Sequence, residues 1–146
     1  MENYLSELYE RDLLKLKAEL ESFKDEANIW KTLPGITNST GVLTKHLLGN
    51  LNMFIGSMIG RTGYVRNRDY EFSLETEPRE MLTGQIDSVI AIVKSSLREI
   101  DQAKLEEPFP AEFLGQKSTA FYLTMFSGHF NYHLGQINYL RRILEK

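Results

Sequence analysis

The sequence predicts an all-α protein folded as a four-helix bundle, and three observations carry that reading. Four stretches repeat apolar residues at the i, i+3, i+4 spacing of a helix that buries one face. Start and stop residues fall between those stretches. Strand patterns are short and scattered. Four amphipathic helices of similar length bury their apolar faces most economically against one another. A length of 146 residues suits a single domain over 1–146.

The first helix runs from Leu5 to about Phe23, with Leu8, Tyr9, Leu13, Leu16 and Leu20 on its stripe. Leu33-Pro34-Gly35 breaks it. Asn38-Ser39-Thr40 offers caps for a second helix. Val42, Leu43, His46, Leu47, Asn50, Leu51, Phe54, Ile55 and Met58 form its inward face, and Gly60 and Gly63 end it. The third helix starts near Pro78, a residue suited to a first turn. Leu82, Ile86, Val89, Val93, Leu97 and Ile100 keep its period. Pro108 and Pro110 mark a loop, and Lys117-Ser118-Thr119 caps the fourth helix. That helix carries Tyr122, Met125, Phe126, His129, His133, Gln136, Ile137 and Leu140 on one face. The segment 60–77 is long for a bundle connection. A chain that must travel back along the bundle between two parallel helices needs such a length. The expected order is therefore up-down-down-up, with a crossover between helices two and three.

Composition narrows the function classes. Hydrophobic residues make up 42% and charged residues 25%, and the formal charge is −3, which argues against a general nucleic-acid binder. There is no cysteine, so disulfides and thiolate metal sites are excluded, and the reducing cytoplasm is the expected compartment. The N-terminus is charged and amphipathic, without the apolar core of a signal peptide. No apolar run approaches the length of a membrane span, so no membrane association is expected.

The chain has three histidines, and each falls on the inner face of an expected helix. His129 and His133 are four residues apart, stacked one turn above the other. The spacing matches the H-E-x-x-H metalloprotease motif, but Phe130 stands where the glutamate would be, which excludes that chemistry. His46 shares the inner face of helix two with Leu43, Leu47 and Asn50. Three neutral imidazoles converging from two helices supply three ligands and leave a metal's remaining position open, the count of a catalytic site. Such a set suits Zn, Ni, Fe or Cu without choosing among them. Zn or Ni is the first expectation for a divalent ion here, with Fe or Mn as alternatives. The competing explanation is that the histidines are core residues satisfied by hydrogen bonds.

The strings VLTKHLLGNL in helix two and HFNYHLGQINYLRRIL in helix four, with RNRDYEF in the long connection, resemble the DinB/YfiT-like family of metal-dependent enzymes. The resemblance covers essentially the whole chain. It implies a left-handed bundle of up-down-down-up topology, often a homodimer, and a metal held by His46 from helix two and by His129 and His133 from helix four. It also implies reactions such as S-transfer from low-molecular-weight thiols, bacillithiol or mycothiol among them.

Other residues admit two uses each. Asn50 and Gln136 could orient a ligand imidazole or sit as polar residues at a wet end of the bundle. Tyr122 could donate a hydrogen bond into the pocket or pack as a core aromatic. Arg61, Arg66 and Arg68 could clamp a carboxylate, although a solvated loop balanced by Asp69 and Glu71 is the favoured expectation. Asp12 is the one acidic residue expected to face inward. Trp30 and Leu33 could cover a bundle end or a dimer face, and Arg141 and Arg142 complement the dipole of the fourth helix.

These residues lead to a metal-dependent enzyme acting on a small molecule, as a thiol S-transferase or a hydrolase. The alternatives are a non-catalytic metal- or small-ligand-binding module and a dimerising scaffold.

Overall fold

The computed structural model describes residues 4–146. In chain order it contains α1 (Tyr4–Ser22), a 3-10 turn (Glu26–Trp30), α2 (Thr40–Leu51) continued by a π-helical segment (Asn52–Ser57), α3 (Arg68–Glu71), α4 (Arg79–Arg98), α5 (Gln102–Glu106) and α6 (Thr119–Leu144). The described residues are thus helical, with four long helices, α1, α2, α4 and α6, and only isolated β-bridges. The anticipated caps form: the Ser39 hydroxyl accepts from Val42 N–H at 3.2 Å, and the Ser118 hydroxyl from Phe121 N–H at 3.2 Å.

Residue pairings fix the helix directions. Lys17 meets Asp87 and Lys94 meets Glu10, so α1 and α4 run in opposite senses. The Tyr9 hydroxyl donates to the Leu123 carbonyl at 2.5 Å and Arg141 donates to Glu19 at 2.6 Å, so α1 and α6 run in the same sense. Gly56 lies against Ile92, and Gly60 against Ser96, which makes the extension of α2 parallel to α4. Phe54 stacks on Phe126, whereas His46, earlier in α2, meets His129 and His133, later in α6, so these two helices are antiparallel. The segment between α2 and α4 therefore returns along the molecule, as its length leads one to expect.

The apolar stripes of α1, α4 and α6, with Leu43, Leu47, Leu51 and Ile55 of α2 and its extension, are the core. Leu13, Leu16 and Leu20 pack with Leu82, Ile86 and Val89 and with Phe126, Phe130 and Ile137. Each such side chain contributes about 1.5–3 kcal/mol on burial.

α2 departs from the expectation of one inward face, because every residue from Thr40 to Leu51 is buried. The cause is the return segment, which lies over the side of α2 that a simple bundle would leave wet. Lys45 pins it there. Its ammonium donates to the Glu75 carbonyl at 2.8 Å and to the Ser73 carbonyl and hydroxyl at 3.3 Å. It also sits over the rings of Tyr70 (4.6 Å) and Trp30 (5.4 Å). Hydrogen bonds and ring faces together satisfy a cation that would otherwise be costly to bury. Trp30 closes against α2 because Gly41 has no side chain to oppose it. The π-helical segment follows directly, with i to i+5 bonds from Met58 N–H to Met53 and from Gly60 N–H to Ile55. Sequence periodicity carries no sign of such a segment.

Candidate metal centre

His46 projects from the middle of α2, and His129 and His133 from one face of α6. The structure brings the three together: one ligand nitrogen from each lies within 4.8 Å of the others. The rings meet edge to face, with centroids 4.6–5.3 Å apart.

Each ring is held differently. His46 Nδ1 lies 3.2 Å from Glu71 Oε1. A carboxylate can only accept, so Nδ1 carries the proton and the lone pair of Nε2 points at the other histidines. Glu71 is itself clamped by Arg66, through Nε to Oε2 and Nη2 to Oε1, both at 2.8 Å. Arg66 Nη2 also passes 3.3 Å from His46 Nδ1. It makes no bond there, because Nδ1 is already a donor. Burial pushes the Glu71 carboxyl up, but hydrogen bonds and charge from Arg66 and His46 outweigh it and hold the group below its ordinary value. Gly49 completes the seat. A side chain at that position would fall on Glu71 Oε2, so the glycine three residues after His46 makes room for the carboxylate against α2.

His133 Nδ1 lies 2.7 Å from Gln136 Oε1, which places its proton on Nδ1 and frees Nε2. Burial lowers its pKa against the opposing pull of that bond. His129 has no such support: its Nδ1 is buried without a hydrogen-bond partner. Burial first, then the charges of His133, His46 and Arg66, push this imidazole down to about 4. It is therefore neutral near pH 7, the form that binds metal.

The Nε2 atoms of His46 and His129 face each other at 3.1 Å. Two lone pairs at that distance repel unless a proton or a cation stands between them. Imidazole nitrogens that share one ion at about 2.0–2.1 Å lie about 2.8–3.4 Å apart, from octahedral to tetrahedral geometry. The donor set and the close spacing of the three ligand nitrogens, all within 4.8 Å, fit a divalent metal. Phe72 covers His46 (centroids 4.8 Å) and Tyr132 covers His133 (5.2 Å), so both lean on the cluster.

The remaining sequence candidates divide. Gln136 touches His133, as one of its two uses required. Asn50 is buried in α2 and makes no hydrogen bond to a histidine. Tyr122 belongs to the core. Its hydroxyl donates to the Gly115 carbonyl at 2.7 Å and accepts from Leu114 N–H at 2.9 Å, and its ring packs on Phe109, Phe113 and Phe126.

The expectation for acidic residues is corrected. Asp12 is buried, but its partners are Arg11 and Asn131. Glu71, expected in a solvated loop, is 3% exposed and bonded to His46. Arg66 likewise leaves the solvated loop to clamp it. The short helix α3 causes this: Asn67 caps it by accepting from Tyr70 N–H at 3.0 Å, and that turn aims Glu71 inward. The string R-x-x-x-x-E at 66–71 was the available signal, although only the fold gives it meaning.

A family model described as a protein of unknown function (DUF1572) matches residues 3–146. No curated protein matches the chain.

Proposed function

This chain belongs to the DUF1572 family of proteins of unknown function, and we propose that it is a divalent-metal protein whose ion acts on a small molecule. The observation that carries the reading is the three histidine nitrogens within 4.8 Å of one another, one of them oriented by a carboxylate that an arginine holds in place. Histidines that bind metals commonly donate their second nitrogen to such a group. Zn or Ni suits the all-imidazole set best, with Fe or Mn as further candidates. When bound, the ion would supply Lewis acidity to a water or a thiol.

The chain's own residues then have defined roles. His46, His129 and His133 would hold the ion. Glu71 fixes the tautomer and aim of His46, and Gln136 does the same for His133. Phe72 packs against His46 and Tyr132 against His133. Glu71 is committed to Arg66 and His46 and held ionised, so it positions a ligand and is not free to shuttle protons. That commitment favours chemistry in which the activated water or thiol attacks directly. Hydrolysis and S-transfer from a low-molecular-weight thiol both fit, and the DinB-like resemblance favours the second. It also gives weight to a non-catalytic metal- or small-ligand-binding module, since among the described residues no uncommitted carboxylate stands beside the histidines. The helix directions and the return segment support an up-down-down-up four-helix bundle. We further propose a homodimer and a cytoplasmic location. The described residues contain no helix long and apolar enough to cross a membrane.

The test is metal analysis of the purified protein, followed by turnover of electrophiles with several low-molecular-weight thiols, each with and without EDTA. Stoichiometric metal with EDTA-sensitive turnover establishes the enzyme. Metal without turnover leaves the binding module. Protein that takes up no metal refutes both.

A further inference from the structure

A groove of about 490 Å³ opens beside the histidine cluster, between the 33–38 turn and the last third of α6. Its walls are Leu33, Ile36 and Leu43 on one side and Tyr139, Leu140 and Ile143 on the other. His133 and Gln136 line the part where it meets the metal centre, and Thr37 and Asn38 add polar groups from the 33–38 turn. The volume lies in the range of small-molecule sites, and an apolar channel with a few convergent polar groups is their usual make-up.

The chemistry of that polar end is specific. Gln136 uses its Oε1 to accept from His133, which leaves its amide N–H groups to donate into the groove. A donor there calls for an acceptor on the ligand, and the neighbouring centre calls for an oxygen anion or carbonyl. Farther along, Ile36 and Ile143 both line the groove and remain about half exposed, 47% and 49%. Apolar surface of this kind is covered favourably by an apolar ligand.

We propose that this groove is the subsite for the body of the ligand: an alkyl or aryl carboxylate or acyl compound, its oxygen head at Gln136 and the histidines and its apolar chain running toward Ile143. The head depends on the metal reading above; the chain's place in the groove does not.

The probe is the straight-chain carboxylate series from acetate to decanoate, titrated calorimetrically into zinc-loaded and EDTA-treated protein. Affinity should rise about three- to fourfold per methylene over the first several carbons and level off once the groove is full. Ile36→Asp and Ile143→Asp, both at exposed positions, should flatten the series and leave zinc affinity unchanged. Gln136→Leu should weaken all members by a similar factor and keep the slope. A flat series in wild-type protein that binds zinc overturns the groove assignment and leaves the metal reading intact. A steep series in protein that binds no zinc supports the groove and removes the metal reading. A flat series, with a dimer that Ile143→Asp dissociates, assigns this face to a second copy of the chain and overturns the proposal.

Discussion

The inward stripe of α6 has two parts made of similar materials that meet different ends. Toward its N-terminus, Tyr122 and Phe126 join Phe54, Phe109 and Phe113 in an aromatic cluster whose centroids lie 4.8–6.3 Å apart. The polar atom there, the Tyr122 hydroxyl, both donates and accepts. Two turns on, His129 and His133 meet His46 with one ring nitrogen unpartnered and two others facing at 3.1 Å. Helical spacing alone treats both parts as core. Hydrogen-bond satisfaction separates them: the Tyr122 hydroxyl both donates and accepts, whereas the buried Nδ1 of His129 has no partner.

The largest effect expected from this contrast is in the aromatic part. Phe126→Ala should lower stability by about 3–5 kcal/mol, measured by urea denaturation, and by the same amount with EDTA as with zinc. A metal-dependent difference would show that the two parts are coupled.

Next comes the histidine part. Zinc at a hundredfold excess over its dissociation constant should stabilise wild-type protein by about 2.7 kcal/mol. His129→Ala should lose most of that gain in a thermal melt. In EDTA it should cost less, since it also removes a buried nitrogen without a partner. The pH dependence follows in sign. The folded-state pKa of His129, about 4, lies below its ordinary 6.5. Its neutral form is thus favoured by the fold, and the contribution is fully present above pH 6.5 and lost as pH falls toward 4. EDTA-treated wild type should therefore lose ground to His129→Gln over that window. His129 should not limit the metal gain just below pH 6.5, because burial and neighbouring charge delay its protonation.

A smaller effect tests the support of His46. Glu71→Gln should weaken zinc binding by about 10–100-fold without unloading the other two histidines. Gly49→Ala should act in the same direction, because its methyl group takes the place of Glu71 Oε2. Titration calorimetry reads both. If neither changes zinc affinity, the carboxylate is a structural ion pair only.

The smallest effect returns to the aromatic part. Tyr122→Phe should cost about 0.5–1.5 kcal/mol through its hydrogen bonds to Leu114 and Gly115, with zinc affinity unchanged. A loss of zinc affinity would reinstate Tyr122 as a site residue.

The long helices were legible because burial of one face writes a period into the sequence. Leu82 through Leu97 in α4 is the clearest case, and Ser39 and Ser118 cap where their hydroxyls suggest. The length of 60–77 also carried real information, since only a returning chain needs it. The convergence of the histidines could be read from their shared register. Glu71 could not, because its place depends on a four-residue helix and on a gap at Gly49, neither of which has a period. Lys45 was hidden for a related reason: a lysine between Thr44 and His46 reads as a solvated position until Trp30, Tyr70 and the Ser73–Glu75 backbone close over it. Contacts made by connections are set by the whole fold, and local pattern does not record them.

The most direct measurement is a zinc titration of the wild-type protein and of His46→Ala, His129→Ala and His133→Ala, with circular dichroism confirming that each variant is folded. The expected result is one ion per chain in wild type and a large loss of affinity in all three variants, since two imidazoles hold a metal poorly. Equal binding in all four proteins, or none in any, would contradict a metal centre at these histidines and return them to the core.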